Sequence, residues 1–169
     1  EPPGFATLFK IVIGQQVSVG SAAAIWNRLE HAGLSRQTKL ARASVEELAL
    51  IGLSRPKIRY AHALSRTLID YDKLTLLPDA AVLDILTQIT GIGRWTAEVY
   101  ALIALGRTDV FPYGDLALQE ATRLVFNLPM RPDAKKMSDL AQDWAPWRAV
   151  AARLLWAYYK RLKLQKGKI

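Results

Sequence analysis

The sequence predicts an all-α fold, and three observations carry that reading. Apolar residues recur at helical spacing through most of the chain, no stretch alternates at period two, and capping residues and glycines fall where the apolar runs begin and end. A chain of 169 residues is long enough to bury a core, as a single domain or as two tightly joined lobes.

Taken in order, Phe5 to Leu29 read as helix interrupted near "GQQVSVG", with Ala22, Ala23, Ile25, Trp26 and Leu29 on one apolar face. In "SVEELALIG" Ser44 stands three residues before Glu47, the pattern of a capping box, and Gly52 ends that short helix. Pro56 suits the first turn of the next, in which Ile58, Ala61, Leu64, Ser65 and Leu68 share a face. Asp79 is placed to cap a helix carrying Val82, Ile85, Leu86 and Ile89. Trp95, Val99, Leu102 and Ile103 repeat the spacing, and Gly106 stops that run. After "VFPYG" a helix starts at Asp115 and carries Ala121, Leu124 and Val125. A last helix runs from about Pro146 to Lys163, with Val150, Leu154, Ala157 and Tyr158 on one side.

Composition narrows the function classes. No apolar run approaches the roughly 20 residues that span a bilayer, and no basic segment leads into an apolar one near Glu1, so neither a membrane span nor a signal peptide is expected. The chain has no cysteine, which excludes disulfides, iron–sulfur clusters and cysteine-ligated zinc, and His31 and His62 alone cannot build a histidine-rich metal site. The net charge of +8 suggests an anionic partner such as nucleic acid or a membrane surface. Five of the positive charges fall in the last ten residues, "KRLKLQKGKI", a basic tail over 160–169 that reads more simply as a solvated helix end than as a binding arm.

The stretch "ITGIGRWTAE" breaks the chain at Gly91 and Gly93 and restarts a helix at about Arg94. Glycines make the turn and let another backbone come close. The first N–H groups of the new helix point outward along the positive end of its dipole, which suits a phosphate. An ordinary αα-hairpin would use the same glycines. Ile92 as a plug between them, Arg94 and Thr96 as added phosphate donors and the basic charge favour a hairpin that grips DNA. The arrangement, over about residues 80–105, resembles the helix-hairpin-helix motif, which binds the backbone of duplex DNA without reading sequence.

Downstream, "GIGRWTAEVYALIALGRTDVFPYGDLALQEA" is similar to the core of the helix-hairpin-helix DNA glycosylases, in which an essential aspartate follows the hairpin by about twenty residues. "IVIGQQVSVGSAAAIWNRL" and "PWRAVAARLLWAYY" resemble the DNA-3-methyladenine glycosylase II branch. The resemblance covers nearly all of the chain as one catalytic unit, 1–169. It implies a two-lobed helical fold, with the DNA-binding cleft and base pocket between lobes, and a monomeric enzyme of base excision repair that removes 3-methyladenine and 7-methylguanine. Its partner would be duplex DNA containing damaged bases and not a membrane, in the cytoplasm at a bacterial nucleoid or in a eukaryotic nucleus.

The same resemblance assigns residues. Asp115 is the catalytic carboxylate; as a residue it is also a good N-cap, and the roles are compatible because a helix N-terminus favours a negative charge. Trp95 and Trp156 fall at base-pocket positions, while Trp26, Trp144 and Trp147 read as core. Gln15, Gln16 and Val17 would fill the gap left by a flipped base, although the two glutamines suit a polar turn equally well. Gly91, Gly93, Arg94 and Thr96 complete the DNA contacts. Members that also cut the strand carry a lysine at the position of Trp95, and tryptophan forms no Schiff base, so an abasic site without a lyase step is expected. No cofactor is required. A monovalent cation, potassium or sodium, on the main-chain carbonyls of Thr87, Ile89 and Ile92 is a further implication. Two alternatives stay open: a glycosylase for deaminated or oxidised bases, and a non-catalytic DNA-binding module.

Overall fold

The structure, a computed structural model, describes residues 1–166; positions 167–169, the end of the expected basic tail, lie outside the described residues. All regular structure among the described residues is helical, as the sequence predicts, and no helix there is long and apolar enough to cross a membrane. The chain divides into two compact units, Glu1–Leu105 and Gly106–Ile169.

The first unit holds α1 (Phe5–Gly14), α2 (Val19–His31), α3 (Gln37–Leu40), α4 (Val45–Ile51), α5 (Arg55–Arg66), α6 (Tyr71–Leu76), α7 (Asp79–Thr87) and α8 (Arg94–Ile103). Its core forms around α1, which packs against α2, α5 and α8 and buries Leu8, Phe9, Val12 and Ile13. Each such side chain contributes about 1.5–3 kcal/mol of transfer free energy. The Tyr100 hydroxyl on α8 accepts from the Gly4 main-chain N–H at 2.9 Å, fixing the entry to α1. The capping box at α4 forms as expected, with Ser44 and Glu47 bonded reciprocally and Gly52 left-handed at the C-cap.

The second unit holds α9 (Leu116–Val125), α10 (Ala134–Leu140), a 3-10 turn (Ala141–Trp144) and α11 (Arg148–Lys166). α9 packs on α11; α9 buries Leu118, Gln119, Ala121 and Thr122, and α11 buries Ala149, Ala152 and Leu155.

Several sequence expectations need correction. α11 has the expected period but buries a different face: Val150, Leu154 and Tyr158 are exposed, whereas Ala149, Ala152 and Leu155 are buried, a stripe whose small residues suit close helix packing. Pro78, not Asp79, occupies the N-cap of α7, and Asp79 is its first helical residue. Leu68 is 97% exposed because α5 ends at Arg66, two residues before it. Ile85 and Val125 are also exposed. Trp26 is core, but Trp144 is half-buried and stacks with Phe126, and Trp147 is exposed in the loop before α11.

Candidate active site and nucleic-acid interface

In the first unit the turn after α7 runs through Gly91 and Gly93 into α8. Gly91 adopts φ +92°, and a Cβ there would overlap the Tyr60 ring, so the tight turn admits glycine alone. Gly93 differs. Its φ is −86°, as any residue adopts, and a Cβ would meet nothing within 4 Å. Among the described residues nothing requires a glycine at this N-cap, and no side chain there caps α8. Ile92 is buried beneath the turn as the expected plug, and its N–H donates to the Ile89 carbonyl at 2.9 Å.

Arg94 opens α8 with its side chain 70% exposed, while Nε donates to Glu98 Oε1 at 2.8 Å one turn on. Burial pushes the Glu98 carboxyl up to about 7, against the opposing effect of Arg94. Trp95 is half-buried in the first turn. Thr96, expected as a phosphate donor, is instead 2% exposed, and its hydroxyl oxygen accepts from Gln15 Nε2 at 2.8 Å. Its place on the inner face of α8 turns the side chain into the protein.

The loop between α1 and α2 stands beside the hairpin. Gln15 Nε2 also donates to the Gly91 carbonyl, at 2.9 Å. Gln16 is exposed and left-handed at φ 56°, and Val17 is exposed. Of the three residues expected to enter a DNA gap, Gln16 and Val17 therefore present surface, whereas Gln15 spends both amide hydrogens inside the protein.

In the second unit Asp115 is the N-cap of α9 and is 8% exposed. Its Oδ1 accepts from the Leu118 main-chain N–H at 2.9 Å and from the Trp156 indole N–H at 3.3 Å. The cap and the candidate catalytic carboxylate are thus one group, orientated by a helix N-terminus and by the tryptophan expected beside the base. Gln119 Nε2 donates to the Tyr113 carbonyl at 2.9 Å, bracing the turn before Asp115.

Sequence reasoning left Arg148 unassigned. Its Nη1 donates to Asp109 Oδ2 at 2.8 Å and its Nε to the Ala141 carbonyl at 3.0 Å, while the Ala149 N–H donates to Thr108 O at 2.9 Å. These bonds tie the start of the Trp156 helix to the segment leading to Asp115. The "PWR" turn at the head of an apolar helix was the available signal.

Residues 9–146 match the family described as HhH-GPD superfamily base excision DNA repair protein. An alkylbase DNA glycosidase-like protein of Schizosaccharomyces pombe is 29% identical over 117 residues, covering 66% of this chain and 55% of that protein, so the chain spans about half the length of this relative. The structure of an S. pombe 3-methyladenine DNA glycosylase in complex with abasic DNA matches at TM-score 0.84 and 27% identity, covering 94% of this chain and 80% of that one. A DNA-3-methyladenine glycosidase from Bacillus halodurans matches at TM-score 0.78 and 32% identity, over 94% of this chain and 76% of that one. With the family match spanning the hairpin, Asp115 and most of both units, the chain belongs to the HhH-GPD superfamily of base excision DNA repair proteins.

Proposed function

We propose that this chain is a monofunctional, monomeric DNA glycosylase that flips alkylated bases such as 3-methyladenine and 7-methylguanine out of duplex DNA and hydrolyses the N-glycosidic bond. The observation that carries the proposal is the buried Asp115 carboxylate, held by the α9 N-terminus and by Trp156. The names of the relatives, and the abasic DNA bound to one of them, support the substrate class and the product.

In this reading the hairpin takes a phosphate, with Arg94 exposed beside it. The Gly93 position, open and free of backbone strain, lets the nucleic-acid backbone come close. Flipping costs a few kcal/mol, less for a damaged base, and Gln16 and Val17 fill the space vacated. Trp156 offers its indole face to the base, and the family resemblance gives Trp95 the same task. Alkylation at a purine ring nitrogen makes the base cationic, which an indole face attracts.

As the bond from C1′ to the base nitrogen breaks, the electron pair leaves with the base and positive charge develops on the sugar. The Asp115 carboxylate stabilises that charge. Water then adds its oxygen to C1′ and gives up a proton, for which Asp115 is the acceptor. Trp95 supplies no amine for a Schiff base, so the strand stays intact.

The hairpin also has the chemistry for a monovalent cation. Thr87 ends α7, where helical carbonyls lack intrahelical partners, and Ile89 and Ile92 lie in the following turn. Their main-chain carbonyls would hold the ion, whose charge would help join the protein to a phosphate.

The test compares wild type with Asp115→Asn for free base released from methylated duplex, and for binding to an abasic duplex. Release by the wild type, with a variant that binds but releases at least about a hundredfold less, is the expected result. Binding by both without release of any alkylated base would leave a different lesion or a binding module as the reading.

A further inference from the structure

The loop at residues 15–17 and the hairpin at 91–96 belong to segments far apart in sequence, yet one side chain joins them. Gln15 Nε2 places one hydrogen on the Gly91 carbonyl at 2.9 Å and the other on Thr96 Oγ1 at 2.8 Å, so it grips the turn and the first turn of α8 together. Thr96 is buried, and Gly91 is locked against Tyr60. The acceptors therefore belong to a fixed surface.

The other side of the loop is anchored as well. Lys57 on α5 is buried and donates to the Ile13 carbonyl, two residues before Gln15. Beyond the loop, Ser18 caps α2 by accepting from the Ser21 N–H at 3.1 Å. Between these anchors the chain holds Gln16 at a positive φ that a non-glycine residue seldom adopts. The anchors thus offset the backbone cost of presenting Gln16 outward.

We infer that Gln15 is a positioning residue that fixes the gap-filling loop to the phosphate-gripping hairpin, so that seating a phosphate on the hairpin also sets the depth to which Gln16 and Val17 enter the duplex. Gln15 itself touches no DNA in this scheme. The inference rests on the proposed excision reading, and it assigns Gln15 a role separate from its neighbours. Without the link the hairpin still binds a phosphate, but the loop loses its register to the target and flipping suffers.

The experiment uses the full chain and the variants Gln15→Met, which keeps length but has no donor, Thr96→Val, and the double variant. Single-turnover release of 3-methyladenine and 7-methylguanine is measured with enzyme saturating. Flipping is followed by 2-aminopurine fluorescence beside the lesion, affinity on an undamaged duplex of the same sequence, and folding by thermal melting. A loop freed from the hairpin must be ordered again at each flipping event, at a cost of about 1.4 kcal/mol, which predicts a fall of about tenfold in the Gln15→Met release rate and flipping signal. The affinity for undamaged duplex should move by less than about threefold, since phosphate contacts dominate it. Thr96→Val should fall between that variant and wild type, and the double variant should be no slower than Gln15→Met alone, because both remove the same link.

Release by the wild type with unchanged rates in the variants overturns the inference alone. So does a parallel fall of rate and undamaged-duplex affinity, which would make Gln15 a plain DNA contact. No release by the wild type overturns the proposed function, and the inference with it.

Discussion

Glu98 sits 3% exposed on α8, bonded to the exposed Arg94, and burial raises its carboxyl from the ordinary 4.5 to about 7. The folded chain therefore holds a proton, between pH 4.5 and about 7, that the unfolded chain has already lost. Stability contributed by protonated Glu98 is complete at the acid end of that window, falls as pH rises through it, and stays low above it. Glu98→Gln, which is neutral at every pH and keeps an acceptor for Arg94, should melt higher than wild type at pH 8, by roughly 2–4 °C for each kcal/mol gained. The gain should vanish near pH 4.5. Melting curves across that range check it, and a difference independent of pH would contradict the assignment. At the same scale Asp115 shows how a structural and a chemical role coincide. The cap that starts α9 orients the carboxylate, and the Trp156 indole adds a second donor to the same oxygen.

At the scale of elements, the hairpin separates two uses of glycine. Gly91→Ala meets Tyr60 and a left-handed backbone, so it should cost on the order of 3 kcal/mol or more and lower the melting temperature. Gly93→Ala meets neither and should change stability by about 1 kcal/mol or less. Its affinity for duplex DNA should nevertheless fall, roughly tenfold, if a nucleic-acid backbone approaches there. Equal affinity with wild type would remove the phosphate from the hairpin. The sequence made this element legible because its signal is local: two glycines, a plug and a helix start within a few residues. It misled where one helix offers two apolar stripes. On α11 the large residues Val150, Leu154 and Tyr158 and the small Ala149 and Ala152 fit the same period, and only tertiary packing selects the small ones. The short helices α3, α6 and α10 span too few turns to show a period in the sequence. The bonds of Gln15 were invisible for another reason: they join residues 76 and 81 positions apart.

At the scale of the whole molecule, with a net charge of +8, the proposed function predicts that side-chain cations meeting duplex phosphates release counterions. Affinity for undamaged duplex should fall linearly on a log–log plot against salt, and Arg94→Ala should make that slope shallower by about 1. A slope unchanged by the variant would place Arg94 off the phosphate path. The expected tail is helical where it is described: α11 continues to Lys166, and Lys163 lies over the Tyr159 ring at 5.6 Å. The all-α class, the hairpin and the position of Asp115 were all readable from spacing and resemblance. The faces of α2 and α5 were readable too, with Ile25, Trp26, Leu29, Ile58, Ala61 and Leu64 buried as expected, whereas the face α11 buries and the partners of Gln15, Glu98 and Arg148 required the folded chain.

The most direct test of the central claim, hydrolysis of an N-glycosidic bond with the strand left whole, divides one reaction in two. An end-labelled methylated duplex is incubated with the wild-type protein, and half is then heated in alkali, which cleaves at abasic sites. Base excision predicts more fragments ending at methylated purines in the alkali-treated half than in an enzyme-free duplex treated alike, and intact strand in the other half. Fragments no more abundant than in that control would contradict base excision, and fragments without alkali would contradict a glycosylase that lacks a lyase step.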